Sequence, residues 1–102
     1  MKPRKGYLFA ELEVTDAAHF YDEYMPRVIP VLREFGAVFP AGSNAPAVKE
    51  GGRQVKRVVL LEFESMERAQ TFYHSPRYQA VIGHRLRSAN GHLYIFEGAE
   101  SA

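Results

Sequence analysis

Six side chains in this 102-residue chain have the chemistry to hold a small organic acid or carbonyl compound: Tyr24, Arg57, His74, Tyr78, His84 and Arg85. A histidine moves protons near neutral pH. An arginine presents planar donors that grip a carboxylate or enolate in bidentate fashion. A tyrosine donates to a carbonyl oxygen as charge develops there. The competing reading is structural: the tyrosines pack with their hydroxyls satisfied, while His84 and Arg85 are exposed or sit at a dimer seam. No catalytic role is assigned to any of the six.

The stretch "FYHSPRYQ" (72–79) concentrates such groups in two helical turns. Ser75 followed by Pro76 is the pair that starts a helix, since proline needs no amide hydrogen at that position and its φ is already helical. That role accounts for Ser75 without a nucleophile. His19 and Glu23, four residues apart, are half of a metal site on one helical face and no more. The chain has no cysteine, which removes thiolate nucleophiles, disulfides and zinc–sulfur sites together. P-loop, dinucleotide, nucleophile-elbow and HExxH motifs are absent, so no metal or other cofactor is expected.

Composition narrows the partners. Hydrophobic residues at 46% and charged ones at 25% describe an ordinary soluble domain, expected as one unit over 1–102 with its core at 6–98. A net charge of +1 does not suit a nucleic-acid or membrane footprint resting on bulk charge. The apolar run "VVLL" is far too short to cross a bilayer. With no signal-like run behind "MKPRKG", a cytoplasmic location is expected. Acidic residues gather in the first quarter, and Lys49, Arg53, Lys56 and Arg57 follow later. Two solvated faces, attraction between two copies, or an anion site would each produce that pattern.

The elements that must position these groups are legible. "GYLFAELEV" (6–14) alternates as a strand. Asp16 suits an N-cap before a helix whose apolar face is Phe20, Tyr24, Val28, Leu32 and Phe35. Pro26 and Pro30 predict two helical pieces meeting near Tyr24–Pro26, a break that opens a gap over the sheet. Gly36 ends the second piece. "AVFPAG" (37–42) reads as a short strand whose Pro40 suits an edge or bulge, and "QVKRVVLLEF" (54–63) as the strongest strand. Ser65 caps a helix carrying Met66, Ala69, Phe72 and Tyr73. A last helix is predicted to bury Tyr78, Ile82, Leu86 and Ala89, with "ANG" closing it before the strand "HLYIFEG" (92–98). Frayed ends are expected at 1–4 and 99–102. The order β-α-β-β-α-β predicts an α+β, ferredoxin-like sandwich: a four-stranded antiparallel sheet with helices on one face.

The far face of that sheet should be polar, and it is not. Tyr7 and Phe9 share the face opposite Leu8 and Leu12, Val58 and Leu60 alternate with Val59 and Leu61, and Tyr94 and Phe96 alternate with Leu93 and Ile95. Both faces are apolar, and such a surface marks an interface. A second copy of the chain related by a twofold axis is the simplest cover. RNA stacking on the sheet is disfavoured, because "VKRVVLLEF" lacks the Gly-aromatic pattern and Glu11, Glu13 and Glu62 would repel phosphate.

"GYLFAELEVTDAAHFYDEY", "LLEFESMERAQTFYHSPRYQA" and "LYIFEG" together resemble the bacterial domain of unknown function 1330 family. The most specific piece is the aromatic-x-Ser-Pro-x-Tyr-Gln signature, matched by Tyr73, Ser75, Pro76, Tyr78 and Gln79. The resemblance implies a dimeric α/β barrel, two ferredoxin-like protomers with their sheets face to face. His74 stands where the family often has asparagine, and "FPAG" lacks an arginine that the family usually carries nearby. The expected function is a small-molecule-binding homodimer for an anionic or carbonyl-bearing ligand, either a cofactor-independent enzyme or a non-enzymatic binding or interaction module.

Overall fold

The computed structural model describes residues 4–99, so 1–3 and 100–102 of the expected frayed ends lie outside the described residues. Strands β1 (Gly6–Val14), β2 (Val38–Ser43), β3 (Arg57–Phe63) and β4 (Ala89–Glu97) form one sheet in the order β2-β3-β1-β4. Every neighbouring pair is antiparallel. Helix α1 (Ala17–His19), a π-helical turn (Phe20–Tyr24) and α2 (Met25–Glu34) connect β1 to β2. Helices α3 (Met66–His74), α4 (Pro76–Gln79) and α5 (Ile82–Ser88) connect β3 to β4. This is the ferredoxin-like α+β sandwich, with the helices on one face of the sheet.

Alternation sets the core. Leu8, Ala10 and Leu12 of β1 are buried toward the helices, where they meet Phe20, Val28, Phe63 and Phe72. Each large side chain buried this way contributes about 1.5–3 kcal/mol. Asp16 Oδ1 accepts from the His19 amide at 3.1 Å, and Ser65 Oγ from that of Arg68 at 3.0 Å. At the other end of α2, Gly36 adopts φ 72°, which a residue with a Cβ rarely takes. It donates to the Arg33 carbonyl at 3.1 Å and Ala37 to that of Leu32 at 3.0 Å, a complete Schellman cap.

Several elements differ from the sequence-based expectation. The two prolines do not sever the first helix. It passes through as a π turn in which the Met25 amide reaches back five residues to the Phe20 carbonyl, so the chain widens instead of breaking. Pro40 lies on the edge strand, where pairing with β3 shifts register between Val38 and Ala41. Strand β3 begins at Arg57 rather than 54, and 44–56 is an extended loop. The last helix is two helices, interrupted at Ala80–Val81, and Leu86 is 62% exposed. "ANG" closes α5 through Ala89, its C-cap, and at the same residue begins β4. Gly91 pairs with Leu12, and a Cβ there would stand 2.0 Å from the Glu11 carbonyl oxygen. Glycine is needed for the close approach of two strands.

Ser75 is the corner of "FYHSPRYQ". Its Oγ accepts from the Tyr78 amide at 3.1 Å and donates to the Phe72 carbonyl at 2.8 Å, joining the end of α3 to the start of α4. Ser75→Ala loses both bonds at a buried position. A destabilisation of about 1–2 kcal/mol is expected in urea melts, with ligand binding falling only as the folded fraction falls. Full stability with lost binding would make Ser75 a site residue instead.

Candidate functional site

Between the inner face of the sheet and the helices lies a cavity of ≈ 300 Å³. Its wall is apolar, built from side chains such as Leu8, Leu12, Val28, Ile29 and Phe72. Phe39 of the edge strand, more than half exposed, joins the wall as well. Four polar residues interrupt it: Tyr24, Tyr78, Arg57 and Arg85.

Tyr24 comes from the end of the π turn and Tyr78 from the single turn of α4 that Ser75 caps. Their hydroxyls are 2.9 Å apart, and Arg85 Nε donates to the Tyr78 oxygen at 3.2 Å. The Phe72 and Tyr73 rings, with centroids 4.6 and 5.7 Å from that of Tyr78, fix its plane, and Phe20 packs 5.3 Å from Tyr24. Burial pushes the Tyr24 hydroxyl far above its ordinary range, and the adjacent Tyr78 oxygen adds to this electrostatically and through the hydrogen bond; Arg85 opposes the rise more weakly. Tyr24 is therefore a neutral donor at any physiological pH and not a base.

The protons in this cluster do not balance. Two hydroxyls carry two protons, but only one can serve the Tyr24–Tyr78 bond, and Arg85 is donor-only. One phenolic proton therefore has no acceptor among the described residues. Arg85 adds to the surplus. Its residue is only 8% exposed, its one side-chain hydrogen bond goes to a phenol, and no described carboxylate lies within ion-pair distance. Burial works against its charge, yet the neighbouring Tyr78, Tyr24 and Tyr73 together outweigh that and raise its pKa, so the guanidinium stays protonated. A buried cation without a counter-charge is costly, and anion-binding sites present that arrangement.

Arg57 opens β3 on the inner face, opposite Leu12. One Nη donates to Asn44 Oδ1 in the 44–56 loop, while Nε is buried with no acceptor. The two histidines are placed elsewhere. His84 Nδ1 lies 3.0 Å from His19 Nε2, one ring supplying the hydrogen and the other the lone pair, a link that ties α5 to α1. His74 is exposed at the end of α3, its ring 5.2 Å from that of Tyr73. Glu23, the other half of the considered metal pair, is taken by Arg27 at 2.8 Å; that hydrogen bond and charge hold its carboxyl below the usual range. Among the described residues no three His, Cys, Asp or Glu side chains are grouped to hold a metal.

The cavity thus gathers four of the six residues singled out from sequence. Their partners were not foreseeable: Asn44 lies 13 positions from Arg57 across a loop, and His19 lies 65 from His84. The Tyr78–Arg85 pairing spans the interruption at Ala80–Val81, so helical spacing did not announce it either.

A ferredoxin-like sandwich with a donor-lined cavity under its helices defines the class. The family profile described as Domain of unknown function (DUF1330) matches residues 5–99, and the chain belongs to that family. Among solved structures it is similar to a protein of unknown function from Rhodopseudomonas palustris, with 14% identity, 96% of this chain and 85% of that one covered, and a TM-score of 0.76. It is also similar to SnoaB, a cofactor-independent oxygenase from Streptomyces nogalater, at 9% identity, 96% of each chain and TM-score 0.63. A dimeric protein of unknown function and ferredoxin-like fold from Bacteroides fragilis matches at 8% identity over 91% of this chain and 95% of that one, with TM-score 0.56. No curated protein matches the chain significantly. At these identities the likenesses establish the fold alone.

Proposed function

We propose that this protein is a homodimer that binds a small anionic or carbonyl-bearing molecule in the cavity between sheet and helices, in the cytoplasm. The unbalanced proton of the Tyr24–Tyr78–Arg85 cluster carries the reading. A ligand oxygen that accepts from the free hydroxyl and neutralises Arg85 removes both local costs, and the apolar wall takes the rest of the ligand. The lack of cysteine supports a reducing compartment. Among the described residues no helix is long and apolar enough to cross a membrane.

The wall favours binding over proton-transfer catalysis. It includes no carboxylate and no histidine, and burial keeps Tyr24 protonated. A substrate would have to bring its own base or arrive already as an enolate. In that second reading, supported by the same donors converging near one oxygen, the cluster stabilises charge on an oxyanion without abstracting a proton.

A thermal-shift panel of small carboxylates and ketones tests the site. An acid present at ten times its Kd should stabilise the fold by ~1.4 kcal/mol, several degrees for a domain of this size. Tyr78→Phe should weaken that acid about tenfold by deleting a phenolic donor and the acceptor of Arg85. Undiminished binding in folded Tyr24→Phe and Tyr78→Phe would remove the cluster from the site and put the interaction-module reading ahead.

A further inference from the structure

Arg57 and Arg85 stand on the same small cavity, and neither has a carboxylate partner among the described residues. They reach it from different directions. Arg57 comes from the start of β3 in the sheet, whereas Arg85 comes from α5 beside the two phenols. Two guanidinium groups without a counter-charge thus share an otherwise apolar cavity, Arg85 buried and Arg57 half-buried. The Arg57 side chain is also under-used on its own account: one Nη bonds Asn44, and Nε is a buried donor with no partner. Native proteins leave few such groups, and each one calls for an explanation.

A ligand with a single acceptor group satisfies the Arg85 cluster and leaves Arg57 as it is. We infer that the cavity takes a compact molecule with acceptor oxygens at both ends, a carboxylate at Arg85 and the two phenols and a second carboxylate or a carbonyl at Arg57. This rests on the proposed function and adds to it. The cavity selects between acids of equal length by what they carry at the far end. At ≈ 300 Å³ it stands at the small end of ligand-binding cavities, which run from about 300 to 1,000 Å³, so short chains fit the space. The second acceptor engages the Arg57 donors that Asn44 leaves unused, Nε among them, while one Nη keeps its bond to Asn44.

Three acids of equal carbon number separate the possibilities: valerate with one acceptor group, levulinate with a carboxylate and a ketone, and glutarate with two carboxylates. Hexanoate and adipate repeat the comparison one carbon longer. Isothermal titration of the full chain should rank glutarate or levulinate about tenfold or more above valerate. Preference for glutarate identifies a diacid, and preference for levulinate an oxo acid. Arg57→Met should collapse the preference, costing glutarate or levulinate far more than valerate, whereas Arg85→Met weakens all of them. Arg57→Lys keeps the charge and the stem, so it guards against a folding defect in the methionine variant; it should retain part of the preference.

Equal affinities for the three acids in the wild type, with Arg57→Met silent, overturn the second acceptor station and leave the Arg85 site standing. Binding that ignores Arg85→Met, or no binding of any acid at millimolar concentration, overturns the proposed site and this inference with it.

Discussion

Replacing Arg85 with methionine is expected to stabilise the fold while costing the cavity its acid. The two effects have opposite signs for one reason. Arg85 is buried, bonds only to a phenol and has no described carboxylate to neutralise it. An unpaired buried charge is a net liability, and an apolar side chain of similar volume in such a place is neutral to stabilising, by about 1–4 kcal/mol. Methionine is unbranched and adapts to irregular space. Tyr78 loses one donor but keeps its bond to Tyr24. Ligand binding behaves differently, since removing one member of a buried charge-assisted pair costs about 2–5 kcal/mol, or roughly thirtyfold and upward in affinity. Urea melts and titration of glutarate on the same samples measure both. Arg85→Met that is clearly less stable than the wild type would mean the arginine is a structural element, and the functional reading of its burial would fail.

How far the sequence reveals this arrangement depends on whether the determinant is local. Asp16, Ser65, Ser75 and Gly36 end or begin helices where their own chemistry dictates, and all four act as expected. Alternation in "GYLFAELEV" delivers β1 with both its ends. Periodicity fails where the chain changes phase. A continuous helix from Tyr78 would bury Leu86, but the interruption at Ala80–Val81 starts α5 anew and exposes it. Hydrophobicity then misleads, because the residue turned inward is Arg85, held there by a phenol oxygen seven positions earlier. The prolines were legible as a disturbance, but the form it takes, a π turn that leaves Tyr24 at the cavity, depends on packing above the sheet. Contacts such as His19–His84 and Arg57–Asn44 have no local signal at all.

The outer face of the sheet gives the other large expectation, a protein of twice the chain mass. Register brings its aromatics into one patch: Tyr7 faces Phe96 across β1 and β4, with rings stacked 5.9 Å apart, and Phe9 lies between Tyr94 and Leu60. Tyr94 and Phe96 are 53% and 45% exposed, unusual for rings on a sheet already packed on its other side. The 44–56 loop shields only one end, where Pro46 and Val48 approach Phe9 and Tyr94, and Arg53 anchors the loop to Glu11 at 2.7 Å. Burying each remaining ring is worth about 1.5–3 kcal/mol, and a twofold pairing brings the same patch from both copies at once. A stable interface of this kind needs about 800 Å² per partner, which calls for most of the outer face of the sheet. Light scattering at micromolar concentration should therefore report a dimer. Phe9→Lys places a charge within the patch, between Tyr94 and Leu60, where pairing would strip its water. That variant should weaken association about a hundredfold or more and yield a folded monomer. A wild-type chain that stays monomeric at high micromolar concentration would sink the dimer. A Phe9→Lys variant that stays fully dimeric would place the interface on another surface.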